Sequence, residues 1–268
     1  MPDNPLQLSM RRIGLVNWLG VQTLCAKEIQ RFLKVGLQTV IAPAITTLLF
    51  MAIFLLAFGA GGRTIAGMPF GTFLAPGLVM MAIIQNSFAN TTSSILISKV
   101  QGNIIDVLMP PLNERELTFC FAVGGVCRGI AVALAVSLPM ALITPLPLHH
   151  IWALVYFGLS AALLLSLVGI LTGVWARKFD HAASVTNFVI MPLSFLSGTF
   201  YSIRQLPEIW QQISLFNPFF YMIDGFRYAF TGHADGDLTN GVLYILVLNA
   251  VLWMAAIVIF RSGYNLKS

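Results

Sequence analysis

Residues 196–230 read LSGTFYSIRQLPEIWQQISLFNPFFYMIDGFRYAF, a stretch too apolar for a solvated loop and too broken for one membrane crossing. Pro207 and Pro218 each stand where a helix would begin, since proline is favoured at the first helical position. Arg204, Glu208, Asp224 and Arg227 interrupt the apolar run, and a straight crossing would strand them in hydrocarbon. The stretch therefore predicts two short helices that dip into the membrane surface and return. Irregular backbone at that depth needs cover from protein or from a water-filled cavity, which points to transport rather than simple anchoring.

The flanking sequence has the composition this requires. The chain is 57% hydrophobic and 9% charged, with a mean hydropathy of +0.84, whereas soluble domains are about 25% charged. The fold class is all-α, a polytopic membrane protein. The 268 residues accommodate about six helices of about 20 residues as one transmembrane domain over 1–268, without room for a sizeable soluble domain. Met1–Met10 is polar, carries Asp3 and precedes no short apolar core with a cleavage site, so no cleaved signal peptide is expected.

Six apolar runs, uncharged except for Arg128 in the third, are long enough to cross about 30 Å of hydrocarbon. They are Leu37–Phe58 (kinked at Pro43), Phe73–Ile97, Leu117–Ile143, Ile151–Ala176, Ala183–Tyr201 and Val242–Phe260. With the N-terminus inside, Arg11, Arg12, Lys27, Arg31, Lys34, Lys99, Arg115, Arg177, Lys178, Arg261 and Lys267 collect on the cytosolic side. The outer connections hold Arg63, Arg204 and Arg227. Eleven against three places both termini in the cytosol. The net charge of +5 is therefore a topology signal, and no nucleic-acid partner is expected.

Before the first run, the segment 11–34 contains a helical stretch, Val16–Leu33. Its apolar positions include Trp18, Leu24 and Ile29, and its charges are Lys27, Glu28, Arg31 and Lys34 just beyond. It reads either as a helix lying in the cytosolic interface or as a basic juxtamembrane flank. The cytosolic connection Ser98–Glu116 carries a second short helix. There Ile104, Ile105 and Leu108 are expected on one face with Asp106 away from it, ended by Pro110-Pro111. Such a helix either packs into a partner's groove or floats at the interface.

Polar residues within the runs carry paired readings. Arg128, about 16 Å into the third run, lines a cavity and attracts anionic head groups or snorkels at the inner leaflet. Gln85, Asn86, Asn90, Ser93 and Ser94 form a stripe that lines a path or bonds neighbouring helices. Asp224 and Arg227, three residues apart, have the spacing to pair across one turn. Tyr201, Trp210, Tyr221 and Tyr228 read as interfacial aromatics. The three cysteines, Cys25, Cys120 and Cys127, form no CxxC pair, and His149-His150 fall in an outer turn without a companion carboxylate. No metal site and no catalytic set is expected.

QGNIIDVLMPPL (101–112), GGVCRGIAVAL (124–134), AKEIQRFLK (26–34) and the segment 195–230 jointly resemble the type-2 ABC exporter permeases. The likeness covers essentially the whole chain. It is nearest to stand-alone bacterial permeases such as those exporting nodulation lipo-oligosaccharides and polysaccharides. The resemblance implies a bacterial plasma (inner) membrane subunit that dimerises with a second permease copy, a homodimer, and binds two copies of a separate ABC ATPase subunit. ATP and Mg would sit in that partner, with no cofactor bound by this chain. It implies that Gly102–Leu112 is the coupling helix, with Gly102, Asn103, Ile104, Ile105, Asp106, Val107, Leu108, Pro110 and Pro111 facing the ATPase. It further implies an elbow helix carrying Glu28 and Arg31, in contact with membrane lipid. The segment 202–230 would form the outer re-entrant gate. Gly198, Pro207, Asn217, Pro218, Tyr221, Asp224, Gly225 and Arg227 belong to that region, and Asn86, Asn90 and Arg128 are candidate path residues.

The residues agree on one point independently. No GxxxxGK[ST] occurs, and the glycine-dense Gly59–Gly67 lacks the Lys-Ser/Thr needed to cradle phosphates. The expected function is a permease, not an enzyme, that moves an amphipathic lipid, glycan-lipid or drug outward when a partner hydrolyses ATP. An ion-coupled secondary transporter is the alternative. It would want acidic residues within the spans, and no Asp or Glu lies in any of the six runs.

Overall fold

The computed structural model describes residue 14 and residues 16–59, 64–65 and 67–265. Arg11, Arg12, Arg63 and Lys267 of the charge count, and most of the Gly59–Gly67 loop, lie outside the described residues.

The chain is an all-α polytopic membrane protein. Helix α1 (Trp18–Lys34) precedes α2 (Ala42–Phe54), which π turns extend at both ends into a continuous helical run, Leu37–Gly59. Two-residue strands β1 (Thr64–Ile65) and β2 (Met68–Pro69) pair antiparallel, Ile65 opposite Met68. Then follow α3 (Phe70–Val100), α4 (Ile104–Leu108), α5 (Glu114–Ile143) and α6 (Ile151–Trp175). Next come α7 (Phe179–Val185), a π turn (Thr186–Ile190) and α8 (Met191–Leu196). Helices α9 (Glu208–Leu215), α10 (Pro218–Thr231) and α11 (Leu238–Ser262) complete the chain.

Five helical runs among the described residues are long and apolar enough to cross a membrane: Leu37–Gly59, α3, α5, α6 and α11. The sixth expected run, Ala183–Tyr201, is helical from 179 to 196 instead. It starts early, through Asp180 and His181, and stops early because Gly198 adopts φ 75° and turns the chain. Its length is about 27 Å, and its polar first turn makes it less apolar than the other five.

α3 is the centre of the bundle, buried along most of its length between α5, α6 and α10. Lipid tails are as apolar as leucine, so helices gather in a membrane through close packing and hydrogen bonds. Small residues supply both. A Cβ on Gly125 would strike Ser166 Oγ, and one on Gly129 would strike Ser87 Oγ. One on Gly169 would strike Thr91 Oγ1 and come within 2.7 Å of the Phe88 carbonyl oxygen. Across this α3–α6 contact, Thr91 Oγ1 donates to the Ser166 carbonyl at 2.9 Å and Thr92 Oγ1 to the Gly169 carbonyl at 3.1 Å.

Gly169→Ala should therefore lower stability by about 1–3 kcal/mol through overpacking. Gly36→Ala, where a Cβ meets nothing within 4 Å and φ is already −54°, should not. Thermal unfolding of the two variants in detergent separates them. Equal midpoints would mean that the α3–α6 approach is not tight.

Candidate functional site

Two sites lie at opposite ends of α3, which is about 46 Å long at 1.5 Å per residue. At its C-terminal end, Gly102 takes φ 74° and starts the chain into α4. Ile104 and Val107 turn inward, into an apolar cluster with Val21, Leu24, Leu117 and Phe121. This differs from the expected face: an i, i+3 pair anchors the helix, and Leu108 is only half-buried. Ile105 is instead 58% exposed and Met109 76% exposed, alongside exposed Asn103, Asp106, Pro110 and Pro111. The exposed surface of this segment is largely apolar with a single carboxylate.

Helix α1 fastens this segment to the bundle. Glu116 is the hub: Oε1 accepts from the Asn17 backbone N–H at 2.8 Å and Oε2 from the Asn113 N–H at 2.7 Å. Asn17 caps α1 by accepting from Gly20 N–H at 3.1 Å, and its Nδ2 donates to the Pro111 carbonyl at 3.2 Å. The start of α1, the proline pair and the start of α5 are thus one knot. Nearby, Lys99 Nζ donates to the carbonyls of Val174 and Ala176 and closes the C-terminal end of α6.

Further along, α1 engages the polar stripe of α3. Glu28 is 2% exposed; its carboxylate accepts from Ser94 Oγ at 2.9 Å and from Arg31 Nε at 3.3 Å. Arg31 Nη2 donates to the Asn90 carbonyl at 2.8 Å and to Asn90 Oδ1 at 3.0 Å, and Nη1 donates to Ser93 Oγ at 3.3 Å. Gly124 permits this approach, since a Cβ there would lie 2.7 Å from Glu28 Cβ. From α5, Arg128 Nη2 donates to Asn86 Oδ1 at 3.1 Å. Asn86, Asn90, Glu28, Arg31 and Arg128 therefore meet at one junction of α1, α3 and α5. Asn86, Asn90, Ser93 and Ser94 all bond to side chains of neighbouring helices.

At the opposite end, Pro207 caps α9 and Pro218 opens α10, with the reversal at Asn217. Asn217 Oδ1 accepts from Phe219 N–H at 3.0 Å, and its Nδ2 donates to the Leu193 carbonyl of α8 at 2.8 Å. α10 is buried against α3, α6 and α11. Arg227, 3% exposed, donates from Nη2 to the Gly198 carbonyl at 2.8 Å and from Nε to the Phe73 carbonyl at 3.2 Å. Its guanidinium lies 3.8 Å from the Phe73 ring centroid. Asp224 does not bond to Arg227. Its two oxygens accept from the Asp235 and Gly236 N–H groups, each at 2.9 Å. Burial pushes the Asp224 carboxyl above its usual range, and those two bonds oppose the shift.

Gly225 lies flat against the Phe157 ring and Tyr221 against Gly241, so both serve packing. Trp210, by contrast, is half exposed on α9 beside exposed Ile209. Sequence reasoning missed Asp235, which accepts from Ser202 Oγ at 2.7 Å and lies 3.6 Å from Arg204 and 3.5 Å from His233. The acid-rich HADGD at 233–237, directly after the apolar segment, was the available signal.

The sequence pattern of the family described as ABC-2 type transporter matches residues 20–231. Among curated proteins, the inner membrane transport permease YadH of Escherichia coli (strain K12) is 37% identical over 256 residues, covering 94% of this chain and 98% of its own. Nodulation protein J of Rhizobium leguminosarum bv. viciae is 24% identical over 248 residues, covering 88% of this chain and 91% of its own. Nodulation protein J of Sinorhizobium fredii (strain NBRC 101917 / NGR234) is 25% identical over 195 residues, covering 70% and 72%.

Arg227→Met keeps the length of the side chain and removes its donors. The Gly198 and Phe73 carbonyls would each lose a partner, at about 1–3 kcal/mol per buried group. A clear drop in the thermal midpoint is expected, with Arg227→Lys between Met and the native protein. An unchanged midpoint for the methionine variant would mean that Arg227 does not hold α10 in place.

Proposed function

The chain belongs to the ABC-2 type transporter family, as a membrane permease component, and from that premise we propose how it is driven and what it moves. A separate ABC ATPase subunit, in two copies, binds ATP and Mg and docks on the α4 segment of each of two identical permease chains. The complex sits in the inner membrane with both termini of this chain in the cytosol. The eleven-to-three distribution of basic residues supports that orientation, and the name of the 37% identical relative, an inner membrane transport permease, supports that membrane. The cargo is amphipathic, a lipid, glycan-lipid or drug, and moves outward.

The observation that carries this reading is the two-faced α4. Ile104 and Val107 root it in the bundle while Ile105, Asp106 and Met109 face out. An exposed apolar patch with one charge, on an element bonded through α1 and Glu116 to the bundle, suits a partner's groove. Force applied there reaches α1, α3 and α5 together, because the Asn17–Glu116–Asn113 knot and the Glu28–Arg31 contacts join them. At the far end, α9 and α10 shape the outer exit, and Arg227 ties α10 to α3 and to the Gly198 turn. Displacing the α3 end that carries Phe73 would act on Arg227 directly.

Ile105→Glu and Asp106→Arg change exposed side chains and should leave the thermal midpoint of the isolated permease unaltered. Each should weaken co-purification with the partner ATPase by about tenfold or more and abolish stimulation of its ATP hydrolysis. If both variants bind and stimulate normally, α4 is not the docking element.

A further inference from the structure

The side chains bonded across the junction of α1, α3 and α5 include two guanidinium groups, Arg31 and Arg128, and one carboxylate, Glu28. The two arginines are held by Asn90 and Asn86. These are four residues apart on α3, so the cations stand on adjacent turns of one face. Glu28 is shared with Ser94 and Arg31, which leaves one positive charge without a bonded counter-charge. Arg128 uses Nη2 for Asn86, while its buried Nε has no partner, and neither does the buried Asn90 Nδ2. An uncompensated cation at membrane depth costs about 2.5–3.5 kcal/mol on insertion scales, and buried donors without acceptors add to that cost. The junction is short of negative charge and of acceptor oxygens.

We propose that Arg31 and Arg128 bind a phosphate group, carried by an amphipathic molecule that approaches along α1. Phosphate offers several oxygens to a planar guanidinium fork and brings the missing charge in one group. The approach is marked on α1 itself: Lys27, Arg31 and Lys34 share one helix face, and both lysines are exposed. Arg31 is 28% exposed, so it links that open row to Arg128 behind it. In the orientation proposed above, the row lies at the inner leaflet, where an anionic headgroup is found. The inference rests on that reading for the leaflet alone; the charge imbalance stands without it. The same oxygens could come from free phosphate, and the experiment separates the sources.

The full chain, without any ATPase, is reconstituted in phosphatidylcholine discs with or without phosphatidic acid, and bound lipid is counted by native mass spectrometry. Inorganic phosphate is titrated in parallel against the thermal midpoint. A lipid site predicts that phosphatidic acid is retained over phosphatidylcholine and that Arg128→Gln and Arg31→Gln each reduce the preference about tenfold. Arg128→Lys, which keeps charge but not the fork, should fall between. A midpoint raised by inorganic phosphate, lost in Arg128→Gln and without lipid preference, identifies free phosphate as the source. Should the arginine variants not fold, the exposed pair Lys27→Gln/Lys34→Gln must still weaken phosphatidic acid retention severalfold. No preference for either probe, or an equal preference in native protein and variants, overturns the proposal. Loss of ATPase docking with this binding intact would instead remove the coupling assignment and leave the site standing.

Discussion

Helices in hydrocarbon gain little from burying apolar surface against one another, so this bundle depends on how closely α3 can be approached. Gly125 and Gly129 on α5 and Gly169 on α6 remove the side chains that would keep those helices away. Threonine hydroxyls then bond to carbonyls exposed by the close fit. The polar stripe of α3 follows from the same constraint. Asn86, Asn90, Ser93 and Ser94 are tolerable at depth because α1 and α5 bring Glu28, Arg31 and Arg128 to meet them. Packing and polar bonding are here one device: without Gly124, Glu28 could not come near enough to be shared.

The two ends of α3 solve different problems. Next to α4, an exposed apolar face is bonded to the bundle from behind. The solution is a carboxylate, Glu116, that collects backbone N–H groups from two helix starts. Next to α10, irregular backbone after α8 leaves carbonyls that must be satisfied where water is scarce. Arg227, Asn217 and Thr199 donate to the carbonyls of Gly198, Leu193 and Ser194. A long cation suits this role because it reaches Phe73 on α3 and the Gly198 turn from a single position on α10.

Much of this was legible from hydropathy and proline placement. Five of the six expected crossings, the breaks at Pro207 and Pro218, and the short helix before Pro110-Pro111 follow from local rules and appear. Local rules failed where a distant element offered a better partner. Asp224 and Arg227 have the spacing of a helical ion pair, yet the loop amides of Asp235 and Gly236 took the carboxylate. The inward face of α4 was misassigned because so short a helix admits several apolar pairings, and the cluster under α1 and α5 selected Ile104 with Val107. Arg31 and Asn90 are 59 residues apart, and nothing in the spacing of either segment announces their contact. The run Ala183–Tyr201 shifted toward its N-terminal side because Gly198 ends it, a backbone effect that hydropathy does not register.

On the coupling proposed above, α4, α1 and the start of α5 move as one body when the partner hydrolyses ATP, and carry α3 with them. Spin labels at the exposed positions 22 on α1 and 109 on α4 report the interior of that body; labels at 109 and 210 span the bundle from α4 to α9. Pulsed electron resonance distances in the ATPase complex, before and after trapping with nucleotide, test it directly. An unchanged 22–109 distance and a shifted 109–210 distance are expected. A 22–109 distance that changes as much as the longer one would contradict it.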